Sequence, residues 1–223
     1  MREIPGIPYR FNDPGLLELA LSHRSVGRVN NERLEFLGDS ILGFVIAARL
    51  YELRSGVDEG DLSRLRTRVV RGSTLAEMAN RLNLGEYIKL GEGELKSGGH
   101  KRNSILADAL EAILGAIYLD GGFGECARVI HHICDPVIED LPEASELKDP
   151  KTRLQEWLQG RGHALPEYVL VSEKGPAHKK HFIVQCVADS ARITVTGEGS
   201  SRQKAEQTAA AMALVEVAGR ADT

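Results

Sequence analysis

Five carboxylates in the first two-thirds of this 223-residue chain stand at spacings that could do chemistry: Glu32, Glu35 and Asp39 in one segment, Asp108 and Glu111 in another. In an α-helix, which turns about 100° per residue, each set gathers on one face within one or two turns. No adjacent Lys or Arg on those faces relieves the crowding, which is costly without a cation. A hard, oxygen-liganded ion such as Mg²⁺ would neutralise it, using one or two carboxylates together with waters and substrate phosphates. Two such ions, about 3.5–4 Å apart, can activate a water and stabilise the leaving oxygen of a phosphodiester displacement. The pattern suggests phosphoryl chemistry; the plain alternative is the solvated acidic face of an amphipathic helix.

Helices must position these groups. Residues 13–139 carry apolar side chains at three- and four-residue spacing with few alternating segments, the mark of an all-α bundle. The clearest helix runs from Glu32 to Leu53, with Leu34, Leu37, Ile41, Phe44, Val45 and Ala48 expected to face the core. Others are expected near Pro14–Arg24, Asp61–Arg71, Ser73–Leu82, Asn103–Leu119 and Phe123–Asp140, punctuated by Gly, Pro and Asn. In the fifth, Leu106, Leu110, Ile113, Leu114 and Ile117 form the core stripe, and Asp108 and Glu111 lie away from it. The loop 91–103 before it is Gly-rich and holds Lys96, His100, Lys101 and Arg102, either as a plain flexible connection or as a phosphate contact. His23, without a partner at useful spacing, is read as structural.

The pattern changes after residue 140. Residues 141–148 are polar and acidic, as a linker between separately packed units would be. A helix at about Lys151–Gly162 follows, then strands at Glu167–Glu173, Lys180–Val187 and Arg192–Gly197, and an Ala-rich helix from Ser201 to about Ala218. The expected architecture is an all-α domain over 1–140, a linker over 141–148 and a small α+β domain, αβββα, over 149–219.

The net charge of −4 argues superficially against a nucleic-acid partner, but it conceals an asymmetry: residues 148–223 carry +2 and residues 1–147 carry −6. The apolar run Ile41–Ala48 is far shorter than the roughly 20 residues of a membrane span. The N-terminus, with Pro5 and Pro8, lacks the apolar core of a secretory signal. A cytoplasmic protein is expected, with no membrane and no small-molecule substrate among its partners. Cys126, Cys134 and Cys186 lack metal-ligand spacing and read as reduced structural thiols.

The run Asn31-Glu32-Arg33-Leu34-Glu35-Phe36-Leu37-Gly38-Asp39-Ser40 resembles, unbroken over ten positions, the signature segment of the ribonuclease III family. Ser104-Ile105-Leu106-Ala107-Asp108-Ala109-Leu110-Glu111-Ala112 is similar to that family's second acidic helix. The resemblance implies that Glu35, Asp108 and Glu111 bind Mg²⁺, for which Mn²⁺ would substitute, and that Asp39 and Glu111 are catalytic. Glu32 and Glu59 match accessory acidic positions; Glu59 could equally be a helix-start acid. The implied reaction is in-line attack of water on phosphorus, leaving 5′-phosphate and 3′-hydroxyl ends. Phe36 projects beside the carboxylates and away from Leu34 and Leu37, either to line a local pocket or to meet another chain; the resemblance implies the latter, a homodimer with this aromatic seated in the partner, and cuts staggered by a short 3′ overhang.

Residues Lys148–Gly219 resemble a double-stranded RNA-binding domain. The match rests on Thr152, Gln155, Glu156 and Gln159, on Gly175-Pro176-Ala177-His178, and on Gly197–Ala210. Double-stranded RNA is then the implied partner. Gln155, Gln159 and His178 would bond 2′-hydroxyls across the shallow minor groove, with Thr152 beside them. Ser201, Arg202 and Lys204 would hold phosphate at a helix N-terminus. Gln203 and Glu206, interleaved among the bases, depart from the denser lysine cluster of many such domains. Processing of ribosomal and messenger RNA precursors is the implied role.

Overall fold

The structure, a computed structural model, describes residues 1–142, 148–176 and 179–221. The chain divides into two compact units, Met1–Ala144 and Ser145–Thr223. Most of the stretch read as a linker lies outside the described residues, as does His178.

In the first unit, α1 is Pro14–Ala20, α2 Glu32–Leu53, α3 Glu59–Val70, α4 Gly72–Arg81, α5 Glu92–Lys96 and α6 Asn103–Glu139. Capping explains several starts. Asp13 accepts from the Gly15 N–H at 2.8 Å ahead of Pro14, and Asp58 accepts from the Asp61 N–H at 2.8 Å. The two helices expected over 103–140 are arms of α6 that meet at Gly122, whose φ of 80° and ψ of 179° break the helical path. From Ile105 to Ile117 every residue of α6 is buried except Asp108 and Glu111. This arm is a central helix covered on all sides but one, and the uncovered side holds the two acids.

Helix α1 stops before the expected Arg24 because the next residues find other backbone partners. The Lys89 N–H donates to Leu21 O at 2.8 Å and the His23 N–H to Lys89 O at 3.1 Å, a parallel bridge in place of another helical turn. The core face of α2 also differs from the expected stripe. Leu34, Gly38, Ile41, Leu42, Val45, Ile46 and Leu50 are buried, whereas Phe44 is 63% exposed, Ala48 is exposed and Leu37 is half-buried. The reason is Gly38: α2 lies on α6 through this residue, which rotates Phe44 and Ala48 to the far side. A Cβ on Gly38 would stand 1.8 Å from Glu111 O, and one on Gly115 would stand 2.2 Å from Leu34 O. The two backbones are in direct contact.

In the second unit, α7 is Pro150–Gln159, β1 Glu167–Lys174, β2 His181–Ala188, β3 Ile193–Gly199 and α8 Arg202–Ala221. The strands form an antiparallel sheet in the order β1-β2-β3, with a bulge between Leu170 and Ser172. Leu154, Leu158, Cys186, Ala188, Ile193, Ala209, Ala210, Ala213 and Val217 make its core. The alanines explain the composition of α8: Gly197 and Gly199 of β3 approach its backbone so closely that larger residues would not fit.

Candidate functional site

The glycine contact between α2 and α6 builds the site. Glu35 stands one turn before Gly38, and Glu111 one turn before Gly115, so backbone contact at the glycines draws the acids of both helices together. One carboxylate oxygen from each of Glu35, Asp108 and Glu111 lies within 4.8 Å of the other two. All three residues are half-buried.

Electrostatics registers the crowding. Burial first, then Asp39, Asp108 and Glu35, push the Glu111 carboxyl up to about 8. Glu35 is raised by burial, Asp108, Glu32 and Asp39, with Arg24 acting in the opposite sense. Asp108 is raised by burial, against the charges of His23 and Arg24. Carboxylates held this way are incompletely neutralised by the protein itself. The donor set, three oxygens without nitrogen or sulfur, fits a hard divalent cation.

Asp39 is exposed and is the strongest neighbouring charge on Glu111, beside the three-residue cluster rather than within it. Glu32 lines a pocket of about 180 Å³ with His23, Arg24, Asn31, Glu35 and Asp108. Glu59 is not brought into the cluster: it is exposed in the first turn of α3, where it accepts from Ser63 Oγ at 3.3 Å. The loop 91–103 contains α5 and a 3₁₀ turn, Gly99–Lys101. Two of its bases are paired, Arg102 with Glu94 at 2.6 Å and Lys96 with Glu92 at 3.6 Å. Sequence reading missed His23, Arg24 and Asn31 as pocket residues. The spacing of His23 says nothing about Asp108, with which it lines this pocket.

On the far side of α2, Phe36 is 77% exposed and Phe44 63%, and the Phe44 ring packs edge-on against Phe123 at 5.8 Å. Exposed large aromatics on the side of α2 turned from its core are candidates for an interaction face.

In the second unit Gln155 and Gln159 are exposed along one side of α7. Thr152 Oγ1 donates to the capping carboxylate of Asp149 at 2.8 Å, so its proton is committed locally. At the start of α8, Ser201 Oγ caps the helix by accepting from the Lys204 N–H at 3.2 Å. Arg202 pairs with Glu206 at 2.9 Å, leaving Lys204 the more available base.

Residues 13–137 match the family model of ribonuclease-III-like proteins, and residues 150–216 that of the double-stranded RNA binding motif. The chain belongs to the ribonuclease III family. Ribonuclease 3 of Dechloromonas aromatica is 55% identical over 93% of both chains. That of Thiobacillus denitrificans is 52% identical over 94% of this chain and 92% of its own. The nuclease domain of ribonuclease III from Campylobacter jejuni superposes with a TM-score of 0.57 at 43% identity, covering 58% of this chain and 92% of that one. This family member is an endoribonuclease that acts on double-stranded RNA, built from a helical nuclease unit and an αβββα RNA-binding unit. No helix among the described residues is long and apolar enough to cross a membrane.

Proposed function

We propose that the protein hydrolyses phosphodiester bonds of double-stranded RNA in a Mg²⁺-dependent, in-line reaction, leaving 5′-phosphate and 3′-hydroxyl ends with a short 3′ overhang. The observation that carries this reading is the convergence of Glu35, Asp108 and Glu111 within 4.8 Å. These three hold the cation, and Mn²⁺ substitutes for Mg²⁺. When bound, the cation supplies the charge that makes water a nucleophile at neutral pH and offsets charge on the phosphate. Asp39 and Glu111 are the catalytic pair, accepting hydrogen bonds from the attacking water and fixing its line of approach. Glu32 and Glu59 are accessory acids that help order substrate or cation.

Two domains, 1–140 and 149–219, joined by the linker 141–148, divide the work. Gln155 and Gln159, with Thr152 and His178, read 2′-hydroxyls, while Ser201, Arg202 and Lys204 hold phosphate. The enzyme acts as a homodimer in which Phe36 seats in the partner, supported by its exposed aromatic face. The Campylobacter jejuni nuclease domain has a region involved in dimer formation. Precursors of ribosomal and messenger RNA are the substrates this activity would process.

The chemistry of the ends tests the reaction. A long duplex RNA cut in Mg²⁺ should yield fragments that a ligase requiring 5′-phosphate and 3′-hydroxyl termini rejoins, and chelation should stop the cutting. Fragments ending in 2′,3′-cyclic phosphate, or cutting that survives chelation, would contradict it.

A further inference from the structure

The pocket beside the acidic cluster contains one rigidly held side chain that the reaction described above does not use. His23 is buried, 7% exposed. Its backbone is fixed by the bond from its N–H to Lys89 O, and the preceding residue by the bond from the Asn31 N–H to Ser22 O at 2.9 Å.

The hydrogen bonds also fix its ring. The Ser25 backbone N–H donates to His23 Nδ1 at 3.2 Å, so that nitrogen is an acceptor. Ser25 Oγ lies 2.8 Å from the same nitrogen and itself receives the Gly91 N–H at 2.9 Å, leaving its hydroxyl proton to point at Nδ1. In the neutral imidazole the single proton therefore resides on Nε2.

Nε2 has no hydrogen-bond partner among the described residues, yet it is not sealed away. The unpartnered buried side-chain atoms among those residues are His100 Nδ1 and the Tyr168 hydroxyl. Nε2 therefore keeps some exposure, and His23 lines the pocket together with Asp108, Glu35, Glu32, Arg24 and Asn31. The other donors there are less suited to fixing a carboxylate. Asn31 Nδ2 donates to Ala20 O, and Arg24 is 71% exposed and lies 3.8 Å from Glu32.

We infer that His23 is a positioning residue for the loaded site: its Nε2–H, unbonded in this structure, donates to Asp108 across the shared pocket once the cation is held, and so fixes the rotation of that carboxylate beside Glu35 and Glu111. The inference rests on the metal reading proposed above. Ligating carboxylates are held by outer hydrogen bonds, and removing such a partner weakens metal binding by about 10–100-fold. A ring anchored on one nitrogen and free to donate from the other suits that task, because its direction is set before the cation arrives.

Two substitutions separate the nitrogens. His23→Asn keeps an acceptor for Ser25 and loses the distal donor; His23→Gln places an amide donor near the Nε2 position and loses the proximal acceptor. Mn²⁺ binding to the metal-free full chain, followed by electron paramagnetic resonance, should weaken by roughly tenfold or more in His23→Asn. It should stay within about threefold of wild type in His23→Gln. Wild-type affinity in His23→Asn, or a loss confined to His23→Gln, overturns the inference and makes His23 a loop anchor only. Should His23→Asn not fold, ¹⁵N spectra of the wild-type ring decide: the Nε2–H signal should shift on adding Mg²⁺, and an unmoved signal overturns the inference. Glu111→Gln controls for the metal reading itself. If wild type binds no Mn²⁺ more tightly than Glu111→Gln, that reading fails; if only the His23 variants match wild type, the positioning role alone fails.

Discussion

Glu111 is the residue on which the electrostatics of the site concentrates. Its folded-state carboxyl is pushed up to about 8 from an ordinary value of 4.5. Between those values the folded protein binds more protons than the unfolded chain, so the residue's contribution to stability falls as pH rises from about 4.5 to about 8 and is level above that. Glu111→Gln should remove this dependence. In chelator, its melting temperature should exceed that of wild type by on the order of a few degrees at pH 8, with the difference shrinking towards pH 5. A difference independent of pH, measured by calorimetry, would show that Glu111 is not held protonated. Mn²⁺ affinity should move the opposite way and increase with pH through the same window, because the ligands must lose their protons to bind. The acids themselves were legible in the sequence, since their i,i+3 and i,i+4 spacing needs only helical geometry. His23 was not: it reaches the pocket through a backbone bridge to Lys89, sixty-six residues away in the chain, and no local pattern encodes such a contact.

At the scale of elements, the close approach of α2 and α6 is what turns two acidic faces into one site. Gly38→Ala should cost about 3 kcal/mol or more by forcing these backbones apart, lowering the melting temperature by on the order of 10 °C and weakening Mn²⁺ binding. Gly43→Ala on the same helix, where a Cβ meets nothing within 4 Å, should be neutral or stabilising by about 0.5–1 kcal/mol. Equal effects of the two would refute the contact. The same glycine explains why Phe44 and Ala48 were misplaced on the core stripe: periodicity finds an apolar arc, but a glycine among the leucines leaves no hydrophobic signal of the line along which helices touch. In the second unit the element order was legible from the change of period, and the strand ends moved by one or two residues. The start of α8 allows a separate check. With Arg202 paired to Glu206, Lys204→Ala should lower the slope of log affinity against log salt for duplex RNA by about one. An unchanged slope would remove Lys204 from the phosphate contacts.

For the whole molecule, the sequence separates an acidic part that would hold cations from a basic part that would hold duplex, and the net charge of −4 describes neither. The exposed aromatics of α2 are where the proposed homodimer would form. Phe36→Ala should shift the monomer–dimer balance towards monomer in sedimentation runs, and an unaltered balance would exclude that residue from the interface. The central claim is that the carboxylates shared by α2 and α6 cut the duplex that the second unit holds. It is tested most directly by offering one long duplex RNA to wild type and to Glu111→Gln, scoring cleavage in Mg²⁺ and binding in Ca²⁺. Wild type should cut, and Glu111→Gln should bind equally well while losing cleavage by several orders of magnitude; undiminished cutting by Glu111→Gln, or intact RNA with wild type, would contradict the account.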